Sequence, residues 1–124
     1  MGHISVDISA VSTKGKRDVK GLIIDTGATY TVLSRDVLEA VGALKLPRKF
    51  PLKLGDGRSV EAEVYSLWLE LGDGEGPVIA LTFEGAQQVI GVQTLESLGL
   101  KVNSITGELE ETRPKGMAYF YLLE

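Results

Sequence analysis

Glycine constrains this chain more than any other residue. Fifteen glycines punctuate short runs rich in Val, Ile, Leu and Tyr, the pattern of an all-β barrel or sandwich built from short strands. Ile4, Val6 and Ile8 alternate with polar residues as a half-buried strand does. "KGKRD" (14–18) reads as a turn and residues 19–25 as a second strand. Ser34 is placed to cap a short helix through about Ala40, with Val37, Leu38 and Val41 on one face and Gly42 closing it. From Phe50 the strand pattern returns. "FPLKLGDGRSVEAEV" supplies two arms around Gly55-Asp56-Gly57, where Asp-Gly signals a two-residue hairpin. "LWLEL" (67–71), the turn "GDGEG" (72–76) and "PVIALTF" (77–83) predict a second hairpin. "QQVIG" (87–91) reads as a further strand, residues 92–98 as a second short helix closed by Gly99, and "ITGE" (105–108) as a turn. "MAYFYLL" (117–123) completes the pattern as an apolar terminal strand.

Length and composition narrow the function classes. The 124 residues suffice for one domain with a core, spanning 1–124, but not for two. Hydrophobic residues at 44% and charged residues at 24% describe a folded chain rather than a disordered one. Thirteen basic against seventeen acidic residues, interspersed, argue against nucleic acid as the main partner. The absence of cysteine removes disulfides, thiolate metal sites and Cys nucleophiles. The single histidine, His3, leaves no material for a Ser-His-Asp triad or a His-rich metal centre, so no metal and no cofactor is expected. No signal-peptide pattern and no apolar run of membrane-spanning length is read, so the expectation is a soluble, cytoplasmic protein without a membrane partner.

Two segments echo each other. "VLEAVGALKLP" (37–47) and "TLESLGLKVN" (94–103) share a Leu-Glu pair, a helix-ending glycine and an apolar, lysine-bearing extension. Each follows an apolar strand that ends near a glycine, Ile23-Ile24-Asp25-Thr26-Gly27 in one and Val89-Ile90-Gly91 in the other. The echo predicts a duplicated strand-loop-helix unit, against the alternative of two short helices alike by chance.

"GLIIDTGATYTVLS" (21–34) poses the chemical question, because Leu22, Ile23 and Ile24 run straight into Asp25. A carboxylate at the end of a buried strand is costly unless it is paired or used. Its plain reading is a turn or cap aspartate. Apolar-apolar-Asp-Thr-Gly-Ala, an Asp-Gly hairpin thirty residues on, and Ile90-Gly91 before a late helix together resemble the retroviral-type aspartic proteases, most closely their single-lobed cellular and prokaryotic relatives. The likeness runs in order over about residues 3–110.

That resemblance implies a closed, retropepsin-like acid-protease barrel of short strands with one or two short helices, active as a homodimer on a peptide or protein substrate. It implies that Asp25 is catalytic, with Thr26, Gly27 and Ala28 forming the active-site loop. Thr26 would hydrogen-bond across the dimer, Gly27 would let the backbone approach the carboxylates, and Leu22, Ile23 and Ile24 would desolvate the pair. Gly55, Asp56 and Gly57 would form a flap over an extended peptide, the plain alternative being a surface hairpin. Ile90 and Gly91 would support the active loop. Trp68 reads as packing, and neither Asp73 nor His3 receives a role. Residues 117–124 would lie either in the monomer's sheet or in the subunit interface, since an uncharged edge strand recruits another chain.

The expected function is therefore an aspartic endopeptidase that hydrolyses extended, mainly apolar peptide segments with one catalytic Asp per subunit. The alternative is a protease-fold dimerisation or peptide-binding module with little or no turnover. A small β-barrel ligand binder is a third reading, and it leaves Asp25 unexplained.

Overall fold

The computed structural model describes residues 4–112. Strands occupy 51% of the described residues and helices 12%, so the fold is all-β with two short helices. Two hairpins form its frame. β1 (Ser5–Ser12) pairs antiparallel with β2 (Gly15–Ile24). After β3 (Thr31–Val32), α1 (Arg35–Val41), β4 (Leu44–Lys45) and β5 (Phe50–Lys53), the long β6 (Ser59–Leu71) pairs antiparallel with β7 (Gly74–Thr82). β8 (Val89–Ile90), α2 (Val92–Ser97), β9 (Leu100–Val102) and β10 (Leu109–Glu111) follow.

Six strands close a mixed barrel in the order β1-β2-β8-β3-β7-β6, with Ala10 opposite Leu69 completing the ring from β6 to β1. Closure removes the free edges that short strands would otherwise present. The interior is packed by Ile8, Leu22, Ile24, Leu69, Leu71, Val78 and Ile90, with the small Ala10 and Ala80 set among them. α1 adds Val37, Leu38 and Val41 to the same core. A second apolar cluster, Ala62, Val64 and Leu81 with Tyr30, Val32, Leu52 and Phe83 around it, lies on the side covered by the β5-β6 hairpin.

The barrel repeats internally, as the sequence echo predicts. The β1-β2 hairpin corresponds to β6-β7, and β3-α1-β4 to β8-α2-β9. β8 runs parallel to β2 (Ile23↔Val89), β3 runs parallel to β7 (Thr31↔Ala80), and β3 meets β8 antiparallel at Val32↔Val89. Gly42 and Gly99 both sit at φ 74° just beyond their helices. One correction applies: the counterpart of Val89-Ile90 is Thr31-Val32, whereas Ile23-Ile24 is the strand that Val89-Ile90 lies against.

Helix boundaries fall where the sequence puts them. Ser34 Oγ accepts the Val37 N–H at 3.3 Å, and Gly42 caps α1 in the left-handed region. The turns differ more. The first hairpin turns at Thr13-Lys14, so Gly15–Asp18, expected as a turn, belong to β2. The two-residue turn lies at Gly72-Asp73, with Gly72 at φ 57°, and Gly74–Gly76 continue as strand. Gly55-Asp56-Gly57 instead forms a three-residue loop. The Gly57 N–H bonds Leu54 C=O at 2.9 Å, the Leu54 N–H bonds Arg58 C=O at 2.8 Å, and Gly57 takes φ 90°. A turn followed by a glycine bulge meets the same need as a two-residue turn with one more residue. Strand β8 is shorter than expected, excluding Gln87-Gln88, and residues 105–108 sit within the turn of an unforeseen β9-β10 hairpin. The predicted strand 117–123 and His3 lie outside the described residues.

A charge cluster ties three elements together. Glu63 on β6 accepts from Arg35 at the start of α1 and from Lys45 on β4, the latter at 2.5 Å. Hydrogen bonding from Lys45 and the charges of both cations hold the Glu63 carboxyl below its ordinary 4.5. A lowered carboxylate adds stability above its unfolded value and loses it as pH falls through the lower folded value. Glu63→Gln is therefore expected to be less stable than wild type at neutral pH. Its stability should also fall less between about pH 5 and about pH 3, as read from urea midpoints along a pH series.

Candidate active site

Asp25 follows β2 directly, and the reason it is presented rather than buried is local. Leu22 and Ile24 point into the barrel and are buried, while Ile23 is half-buried. The backbone then leaves the sheet. The Asp25 N–H still bonds Ile90 C=O on β8 at 2.9 Å, the last link of the ladder. The Gly27 N–H donates to Asp25 Oδ1 at 2.9 Å, and the Ala28 N–H to the Asp25 carbonyl at 3.0 Å, so the turn fixes the carboxylate from below.

The small residues after Asp25 have geometric reasons. A Cβ on Gly27 would sit 3.3 Å from Asp25 Oδ1, tight enough to disturb the N–H bond that orients it. Gly91 is more constrained. A Cβ there would lie 2.5 Å from the Tyr30 carbonyl carbon and 2.7 Å from Thr29 O, against backbone that cannot move aside. Loop 25–31 and residues 90–93 are interlocked by hydrogen bonds in both directions. The Val92 N–H bonds Ala28 C=O at 2.8 Å, and the Gln93 N–H bonds Thr29 C=O at 2.9 Å. Beneath them the Gly91 N–H donates to Thr31 Oγ1 at 3.1 Å, and the Thr31 hydroxyl donates to Thr94 Oγ1 at 2.6 Å, both threonines being buried. Ile90 and Gly91 therefore lie directly against the loop that carries Asp25.

A cleft of about 610 Å³ opens above Asp25. Its floor is Asp25, Gly27, Ala28 and Tyr30, its walls are Val32, Leu81 and Phe83, and its roof is the β5 arm from Phe50 to Gly55. Tyr30 and Phe50 meet edge to face at 5.4 Å between centroids, joining the loop to the base of the roof. Among the described residues, Asp25 is the sole acid lining this space. Thr26 lines an adjoining groove with Gly27, Ala28, Val92 and Gln93.

The expected residues are thus brought together in part. Asp25, Gly27, Ala28 and Gly55 share one cleft, with Ile90 and Gly91 behind them. Asp56 and Gly57 stand at the hairpin tip, outside the cleft lining. The Asp56 carboxylate is occupied within the tip: Oδ1 accepts the Arg58 N–H at 3.0 Å and Oδ2 accepts Arg58 Nε at 2.7 Å, which lowers its pKa. The expectation that residues 22–24 desolvate the acid is not met within one chain, where Asp25 is exposed. Sequence reading missed Tyr30, Phe50, Leu52, Leu81 and Phe83 as cleft residues, and Thr31 with Thr94 as the buried support. A Thr-Tyr-Thr-Val run carries no spacing signal that separates cleft wall from strand.

Among the described residues, no group of three or more His, Cys, Asp or Glu is positioned to hold a metal ion, and no helix is long and apolar enough to cross a membrane. No protein-family model matches the chain, and no curated protein matches its sequence.

The interlock makes a contrast between two glycines. Gly91→Ala is expected to lower stability by about 1–3 kcal/mol through the clash with the Tyr30 backbone. Gly55→Ala, where an added Cβ meets nothing within 4 Å, should stay within about 0.5 kcal/mol. Urea denaturation of the two variants side by side checks the difference.

Proposed function

We propose that the chain is an aspartic endopeptidase of the retropepsin-like type, working as a C2 homodimer on extended, mainly apolar peptide segments. One observation carries the reading: a carboxylate held by the Gly27 N–H faces an apolar cleft roofed by a hairpin, with no second acid among the described residues that line it. Chemistry on a peptide bond without a metal or a covalent intermediate needs one group to take a proton from water and another to give one to the carbonyl oxygen. A two-fold axis beside Asp25 would supply the second group, since a residue near the axis meets its own image.

The roles follow from charge. Two carboxyls about 3 Å apart cannot both ionise and so share one proton. The ionised Asp25 takes a proton from water as its oxygen attacks the scissile carbonyl carbon, and the protonated Asp25 of the other subunit gives its proton to the carbonyl oxygen. Collapse of the resulting gem-diol breaks the C–N bond, with a proton passed to the leaving amine. Association would also provide the desolvation that a single chain leaves undone at Asp25. Val32, Leu52, Leu81 and Phe83 offer an apolar surface to side chains of the peptide, and the β5 arm offers an extended strand beside it.

Cleavage of a mixed peptide library from about pH 3 to about pH 7, at high protein concentration, tests the proposal. Wild type is expected to cut with a bell-shaped pH profile, and Asp25→Asn should lose at least about a hundred-fold in rate. Sedimentation should find dimers wherever activity is found. A dimer in which neither form cuts would support the peptide-binding module instead, and activity surviving in Asp25→Asn would remove Asp25 from the mechanism.

A further inference from the structure

The chain carries thirteen basic and seventeen acidic residues, yet residues 44–58 hold five of the basic ones against the single acid Asp56. These fifteen residues are β4, the connection to β5, β5 itself and the hairpin tip, so Lys53 lies on the arm that roofs the cleft and Arg48 and Lys49 on the segment that leads into it. Two of the five are already engaged, Lys45 with Glu63 and Arg58 with Asp56. The remaining three, Arg48, Lys49 and Lys53, are exposed and make no ion pair among the described residues. Lys53 lines the cleft, and Arg48 and Lys49 precede Phe50, which also lines it.

We infer that this arm selects peptides with acidic residues flanking the apolar segment that enters the cleft. The inference rests on reading the cleft as a peptide site. A peptide long enough to fill it continues past its ends, along the arm, where carboxylates meet three uncompensated cations. Such contacts at a rim act mainly on encounter and are weakened by salt. The occupant is a polypeptide rather than a nucleic acid or an anionic membrane. The adjoining cleft is lined mainly by apolar residues, and the net charge of −4 opposes broad contact with a polyanion.

The experiment uses the full chain carrying Asp25→Asn, so that binding is read without turnover. Fluorescent peptides share one apolar core and carry Glu, Gln or Lys on both flanks, and their anisotropy is followed at low and at high salt. The Glu-flanked peptide is expected to bind about ten-fold tighter than the Lys-flanked one at low salt, with the gap narrowing as salt rises. Arg48→Gln, Lys49→Gln and Lys53→Gln together should close the gap, and the three changes to Glu should reverse it, with the melting temperature unchanged to show the fold intact. In a cleaving wild type the preference should sit in KM rather than kcat. Equal binding of the three peptides, or a preference that survives the triple variants, overturns the inference while leaving the protease reading standing. A charge preference without any cleavage by wild type upholds the inference and removes the protease reading. No binding of any peptide overturns both. Tighter binding of single-stranded DNA or of anionic vesicles than of the Glu-flanked peptide also overturns it.

Discussion

The packing of Gly91 against the backbone of Tyr30 is the contact on which the rest of the site depends. Two chain segments more than sixty residues apart approach until an extra methyl group would sit 2.5 Å from a carbonyl carbon. That approach lets the Val92 and Gln93 N–H groups reach the carbonyls of Ala28 and Thr29. It also sets Ile90 C=O where it accepts the Asp25 N–H, so that the loop carrying the acid is held by a strand rather than by its own turn alone. The hydroxyl pair Thr31–Thr94 occupies the space beneath, where two buried polar groups satisfy each other and the Gly91 N–H.

The interlock has a topological origin. Each half of the barrel contributes a hairpin followed by a short strand and a helix, and each short strand runs parallel to the second strand of the opposite hairpin. The two halves therefore exchange their short strands, and β3 and β8 meet antiparallel where the halves cross. The loop leaving β2 must pass over β8 to reach β3, which places Asp25 at the crossing. A closed barrel leaves little freedom there, because moving the loop would break pairings on both sides.

Outside the barrel, the β5-β6 hairpin folds back over Leu81 and Val32 and turns an open sheet face into a cleft. Its tip is braced by Arg58 on Asp56, and its base by the Tyr30–Phe50 contact. Lys53 lies on the arm between them and Arg48 and Lys49 just before its base, none of the three in an ion pair among the described residues. One hairpin and the segment leading into it thus supply both the apolar roof and the positive charge, while Asp25 is the one negative group beneath it among the described residues.

Much of this was legible in residues taken one at a time. The alternation at Ile4, Val6 and Ile8, the Ser34 and Gly42 caps and the glycine spacing report local physics, so strands and helices fell close to their places. The step from Leu22-Ile23-Ile24 to Asp25 marked the candidate acid for the same reason, since burial cost is a property of the residue and its neighbours. Turn type was less legible. Asp56-Gly57 and Gly72-Asp73 carry similar local signals, and the pairing of the flanking strands decided which became a two-residue turn. The repeat showed in the helices, but its strand was misaligned, because Ile23-Ile24 and Thr31-Val32 differ in partners rather than in character. Tyr30, Phe50, Leu81 and Phe83 could be assigned to a cleft only once barrel closure and the hairpin's fold-back had brought them to one face. Sequence determined which residues could form strands and caps and where an acid follows an apolar strand, because those choices are made within a few residues. Tertiary structure alone decided which of them share a cleft, because that depends on contacts between segments distant in the chain.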